Sequence, residues 1–187
     1  MLKKLIIILP ILLLSNISKA PIYCINSSDL LSSKIDNSNI IVKIRLLRPD
    51  LDYQTSKTIS LYLKEASSKH NIPINTLLTI AYMESSFNQD AIGSKNEKGL
   101  MQIMPLHENY SCKSLNTSNL KDNIECGCRV LSENLFNFNG DILPAVTAYN
   151  RGTSGTKKLL RSNIDISKVK YTSKFISING YLNLIGE

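Results

Sequence analysis

Glu84 stands where an apolar helical pattern gives way to turn residues, in Ala81-Tyr82-Met83-Glu84-Ser85-Ser86-Phe87. A carboxylate in such a place is paired or keeps its proton, because an unpaired buried charge is costly. The C-terminal end of a helix disfavours negative charge. Ile80, Met83 and Phe87 act in the same direction by withholding water. A carboxylic acid still protonated near neutral pH is suited to donating that proton to a leaving oxygen, as in glycosidic cleavage. Taken alone, Glu84 reads more simply as a helix-end glutamate facing water or making an ion pair.

Ordinary glycosidases place a second carboxylate across the scissile bond. The nearest second acids are Asp90 and Glu97, both in a turn-rich segment that does not fix their positions. Asp90 reads as a turn cap and Glu97 as a solvent-facing side chain. The shortage leaves two options: an unrecognised second acid, or a one-acid mechanism in which the substrate supplies its own nucleophile. His70 and His107 are not spaced as a catalytic dyad.

The elements that must position Glu84 read as helices. A first helix is expected over Ser56–Lys69, with Ile59, Leu63 and Ala66 as its apolar stripe and Tyr62 beside them. Pro73 opens the next, capped by Asn75 and running to Ser85. Its apolar residues Leu77, Leu78, Ile80 and Ala81 occupy nearly every side, which predicts a central, buried helix. Gly99 releases a turn-prone segment into Leu100-Met101-Gln102-Ile103-Met104, stopped by Pro105. Further helices are expected over Leu120–Phe136, Ile142–Tyr149, 157–162 and Asp165–Leu184, the last with a weak point at Gly180. Ile40–Leu47 reads as a short strand or extended arm, interrupted by Pro49, Asp50 and Asp52. The chain is therefore expected to be mostly α: one domain over 56–187 behind a short N-terminal arm over 21–55.

Residues 1–20 have a basic start at Lys3 and Lys4, an apolar stretch from Leu5 to Leu14 and a small-residue end at Ala20. This pattern is that of a secretory signal, and its apolar stretch falls short of the ~20 residues of a spanning helix. Pro21 fits poorly in a cleavage site. Export is expected, to a periplasmic or wall-facing location, with an uncleaved form acting as a membrane tether. The chain of 187 residues carries a net charge of +7. Losing residues 1–20 removes three lysines and no acid, leaving 19 basic against 15 acidic side chains, or +4. The basic residues are scattered and zinc-finger spacing is absent, so no nucleic-acid partner is expected.

Cys24, Cys112, Cys126 and Cys128 are an even set in an exported chain, which favours disulfides over free thiols or a zinc site. Cys112 paired with Cys126 or Cys128 would close a short polar loop.

The ordered blocks Asn71-Ile72-Pro73, Leu77-Leu78 with Ile80-Ala81, Glu84-Ser85-Ser86-Phe87 with Ala91, and Gly99 to Pro105 continue into Asn123-Ile124 with Gly127 and Ala148-Tyr149-Asn150 with Gly152. Over residues 56–155 they make the chain resemble the soluble, goose-lysozyme-like lytic transglycosylases. That resemblance implies a lysozyme-like, mostly helical single catalytic domain with a groove for the glycan strands of peptidoglycan. It implies cleavage of the bond between N-acetylmuramic acid and N-acetylglucosamine, with Glu84 as the single acid/base and 1,6-anhydro ends as product. No metal or organic cofactor is implied. Gln102 would recognise sugar, Tyr149 would orient Glu84, Asn150 would shape the cleft and Ser85 would fix the helix end. Met101 is expected at the groove and Met104 in the core. Where the family has a serine and then Gly-Ala before the Gly-Leu-Met-Gln block, this chain has Gly93, Asn96 and Glu97, and Ser94 is the candidate for the displaced hydroxyl. Arg151 replaces a small residue and would contact an anionic group or face solvent. A monomer is expected, with a cell-envelope secretion machine as one candidate partner. A muramidase using water and a non-catalytic peptidoglycan-binding module are the competing functions.

Overall fold

The computed structural model describes residues 37–185, so the expected signal, residues 21–36 of the expected arm, and Cys24 with them, lie outside the described residues. The first helix, α1 (Asn37–Leu47), covers the segment that reads as a strand from its β-branched run. Ile40 and Ile44 are fully buried one turn apart, and Ile41 beside them is also buried. Full burial of an isoleucine side chain stabilises by roughly 1.5–3 kcal/mol. The whole β-propensity scale spans only ~1 kcal/mol, so the apolar seam against α2 (Tyr53–His70) decides for helix.

In α2, the Asp52 side chain caps the first turn by accepting from Thr55 N at 2.9 Å, and Ile59, Leu63 and Ala66 are buried as the stripe predicts. Asn71, in the left-handed region at φ 51°, ends it. Pro73 then opens α3 (Ile74–Ser85), which packs against α2 and the last helix, α8 (Lys170–Leu184), with Leu77, Leu78, Ile80 and Ala81 all buried. Asn75 is not the cap of α3. It lies inside the first turn and bridges neighbours instead, accepting from Lys43 Nζ at 3.1 Å and donating to Asn183 Oδ1 at 2.6 Å.

After a short turn of helix, α4 (Pro105–Glu108), come α5 (Leu120–Asn137), α6 (Ile142–Arg151) and α7 (Thr153–Arg161). Asn119 and Asp141 cap α5 and α6 through their side chains, and Gly152 at φ 81° turns the chain from α6 into α7. The last expected helix is broken. Asp165 caps a 3-10 turn over Ile166–Lys168, Val169 is extended, and only then does α8 begin; it runs on through Gly180, held by buried Phe175 and Leu182. Among the described residues there are no regular strands, only isolated bridges from Lys98 to Ile92 and Ile103. The mostly helical expectation therefore holds.

Cys112 is bonded to Cys126, which ties the loop before α5 to that helix. Cys128, the other candidate partner for Cys112, is a buried thiol unbonded among the described residues, and burial pushes its pKa up to about 12. Two residues apart on a helix, Cys126 and Cys128 lie about 200° apart around its axis and point to different sides, so only one reaches Cys112. Glu125 gathers Lys69, His70 and Arg129 within 2.8–3.0 Å, joining the end of α2 to α5. Burial alone would raise its pKa, but those hydrogen bonds outweigh it and hold the carboxyl at about 2.

Candidate active site

Glu84 sits in the last turn of α3, where the chain leaves the helix through two consecutive left-handed residues, Ser86 at φ 53° and Phe87 at φ 61°. Such conformations are uncommon for residues with a side chain. Here they are held by Phe87, which is buried in the core, and by Arg48, whose Nη1 donates to Ser86 O at 2.6 Å. The Ser85 hydroxyl lies 2.8 Å from Leu100 O and 3.2 Å from Ala81 O, linking α3 to the loop that follows.

That loop is pinned from α5. The buried Asn123 side chain accepts from Met101 N at 2.8 Å and donates to Lys98 O at 2.8 Å and Thr117 O at 2.9 Å. Gly99 is required beside it, since φ is +72° and an added Cβ would lie 2.5 Å from Asn123 Nδ2. Gly127 admits Met101 in the same way, with an added Cβ only 2.8 Å from its side chain. The Asn123 and Gly127 block thus exists to seat the Gly99–Pro105 segment.

Two expectations about that segment are reversed. Met101 is fully buried against α5, whereas Met104 is half-exposed and lines a cavity of about 1050 Å³. The left-handed conformation of Gln102 (φ 47°) accompanies the swap, and Leu100, Met101 and Ile103 all turn inward. Gln102 is half-buried, and its amide donates to Gly99 O at 2.9 Å and Ala91 O at 3.2 Å. Those donors brace the loop, leaving the amide oxygen as its remaining polar face. Ser94 is exposed and does not line the cavity.

Tyr149 does not orient Glu84. Its hydroxyl donates to Met101 O at 2.9 Å, which fixes the loop to α6. Tyr171, in the first turn of α8, donates to Oε1 of Glu84 instead. The register of α8 that delivers it is set by a buried hydroxyl pair, Thr147 and Thr172, 2.7 Å apart. Thr147 already donates to Leu143 O at 2.7 Å, so Thr172 is the donor in the pair.

The Glu84 carboxyl has its proton affinity raised, chiefly by burial. The Tyr171 hydrogen bond opposes this, the charge of Glu97 adds to it, and that of Lys174 subtracts. The Tyr171 and Tyr149 phenols are both raised well above the ordinary tyrosine value by burial and by the Glu84 charge, so both remain donors. With Tyr171 donating to Oε1, Oε2 is the oxygen left to carry a proton when Glu84 is neutral. Glu97 remains solvent-accessible, as its context suggests, but its carboxylate is fixed in place. Its Oε2 accepts from Lys95 N at 2.7 Å and fills the space a side chain at Gly93 would occupy, 2.3 Å from an added Cβ.

The cavity lined by Met104, Glu97 and Tyr149 adjoins one of about 360 Å³ lined by Tyr171, and the two share Asn150 and Arg151 on their walls. Glu84 lines neither, but Tyr171, on the wall of the smaller, donates to it. Asn150 is exposed at the meeting point. Among the described residues, no three of His, Cys, Asp or Glu come together as a metal site needs.

Sequence reasoning missed Tyr171. Its helical spacing with Thr172 and Phe175 marks it as inward-facing, but nothing local in the Lys168–Lys174 stretch names Glu84 as its partner.

A helical frame with one buried acid at a helix end and an open cleft beside it is the lysozyme-like class. Solved structures agree. The lytic transglycosylase Slt of Pseudomonas aeruginosa, in an inactive variant, shares the fold with a TM-score of 0.54 and 19% identity over 84% of this chain and 30% of that one. The 70 kDa soluble lytic transglycosylase of Escherichia coli does so with a TM-score of 0.62 and 18% identity over 86% of this chain and 31% of that one. A transglycosylase of Enterobacteria phage PRD1 is 35% identical over 92 residues, 48% of this chain and 33% of the phage protein. The chain thus spans about a third of the length of these relatives. The family described as Transglycosylase SLT domain matches residues 61–171, more than half of the chain, and the protein belongs to that family.

Proposed function

We propose that the protein is an exported peptidoglycan lytic transglycosylase that cleaves the β-1,4 bond from N-acetylmuramic acid to N-acetylglucosamine, with Glu84 as its single acid/base. The observation that carries this reading is the setting of Glu84: a largely buried carboxyl of raised proton affinity, with the Tyr171 hydroxyl on Oε1 and Oε2 left to carry the proton when the group is neutral. Glu84 Oε2 protonates the glycosidic oxygen, and N-acetylglucosamine leaves as the alcohol. The muramyl N-acetyl carbonyl oxygen closes on C1 as that bond breaks. Ionised Glu84, steadied by the Tyr171 hydroxyl, then takes the proton of the muramyl C6 hydroxyl. O6 attacks C1, the acetamido oxygen departs, and a 1,6-anhydro end forms without consuming water. Glu84 finishes protonated, as it began. The larger cavity, with both polar and apolar walls, suits the neutral sugar chain.

One observation favours a second reading, hydrolysis by a muramidase. Glu97 is held in place on the cavity wall with its pKa lowered, first by hydrogen bonds within its own turn and from the Lys95 backbone, and so stays ionised. An ionised carboxylate beside a protonated one is the pairing by which inverting glycosidases activate water. Mass spectrometry of muropeptides released from purified sacculi separates the two. Anhydro ends, one water lighter than reducing ends, are expected; reducing ends alone would establish the muramidase.

A further inference from the structure

The two cavities that meet at Asn150 and Arg151 differ in charge. The larger carries Glu97 and Glu133 as well as cations, whereas every charged residue lining the smaller is positive: Arg151, Lys170 and Lys174. Arg151 packs its aliphatic stem beside Gly155, with an added Cβ there 3.5 Å from its Cγ. Neither Arg151 nor Lys170 has a carboxylate partner among the described residues. Lys174 lies over the Tyr82 ring at 6.0 Å from its centroid. Like charges gathered on one small wall repel each other unless an anion joins them. Solvated surface cations are common and by themselves carry little. What distinguishes these is their place: the same cavity is walled by Tyr171, whose hydroxyl holds Glu84.

We propose that this cavity is a carboxylate-binding subsite, in which Arg151, Lys170 and Lys174 receive the carboxylate on the lactyl arm of the muramyl residue being cleaved. The inference rests on the reading of Glu84 given above. The lactyl arm leaves the same sugar ring whose C1 is attacked, so a carboxylate on it falls close beside the catalytic acid. A guanidinium offers a bidentate fork to such a group, and the two ammonium groups act as point charges. The Asn150 amide, on the same wall, supplies a neutral donor. Two sources share this chemistry: the lactyl carboxylate itself on peptide-free strands, and a carboxylate of a peptide attached to it. The site therefore selects acidic muramyl residues over neutral ones and makes the enzyme sensitive to how far the wall has been amidated.

Binding measured without turnover tests this apart from the cleavage reaction. The full chain is titrated, with amide chemical shifts as the signal, using N-acetylmuramic acid, its lactyl amide, and a muramyl dipeptide with one free carboxylate. At least one of the two acids is expected to bind about tenfold tighter than the amide, with shifts centred on residues 147–174, and added salt is expected to weaken the preference. In Arg151→Gln/Lys170→Gln the preference is expected to fall to about threefold or less. Lys174 is left in place because its charge also acts on Glu84. A preference shown by N-acetylmuramic acid supports the lactyl carboxylate as ligand; one confined to the dipeptide supports the peptide carboxylate. Equal binding of acids and amide, shifts located elsewhere, no binding of any of the three, or a full preference retained in the double variant overturns the proposal. Failure of wild-type protein to cleave sacculi would instead remove the proposed function, and the titration would still report on the cavity.

Discussion

The Tyr171 hydroxyl donates to Oε1 of Glu84, joining residues 87 positions apart in the chain. This contact does two things at once. It selects Oε2 as the proton-bearing oxygen, and it stabilises the carboxylate that must exist halfway through the reaction.

Tyr171→Phe is expected to lower kcat by about ten- to a hundredfold, with KM little changed, because an aligning and charge-stabilising hydrogen bond of ~1.5–3 kcal/mol is removed. That bond lowers the Glu84 proton affinity, so its loss moves the alkaline limb of the rate profile to higher pH. A fall in rate with an unshifted limb would mean that Tyr171 only packs.

Glu97→Gln has the opposite sign. The groups acting on Glu84 are Tyr171 and Lys174 from α8, which lower its proton affinity, and Glu97 from the loop, which raises it. Removing the Glu97 charge therefore moves the alkaline limb to lower pH. Rates of soluble-product release between pH 4 and 8 measure it; a limb moving upward, or not at all, would show that Glu97 does not act on Glu84.

Asn123→Ala would strip partners from Met101 N, Lys98 O and Thr117 O in a buried setting. At ~1–3 kcal/mol per unsatisfied group, partly relieved by relaxation, the loss is about 2–4 kcal/mol. Thermal unfolding should show Tm lowered by roughly 5–15 °C for a domain of this size. A change within experimental scatter would mean that the loop is not hung from this side chain.

Much of this was legible because it is local. The apolar faces of α2 and α3, the turn at Gly99 and the end of α6 at Gly152 are written in adjacent residues, as is the apolar setting of Glu84. Long-range geometry was not. Whether Met101 or Met104 faces the core depends on the left-handed turn at Gln102, which periodicity does not anticipate. Tyr149 and Tyr171 both come near Glu84, and which one bonds to it depends on how α8 registers on α6 through Thr147 and Thr172. The helix α1 hid behind β-branched residues because its stabilisation comes from packing on α2. Glu97 looked free because the space that receives it is the side chain missing at Gly93.

The central claim is that Glu84 donates and recovers the reacting proton, and Glu84→Gln tests it most directly. A carboxyl whose pKa is raised by folding contributes stability below its unfolded pKa that is lost as pH rises through the folded value. The permanently neutral glutamine should therefore leave Tm at pH 7 unchanged or higher. On purified sacculi at that pH, the account predicts a folded, sacculus-binding protein whose release of soluble fragments falls by about a thousandfold or more. Release within about tenfold of wild type, from equally folded protein, would contradict it.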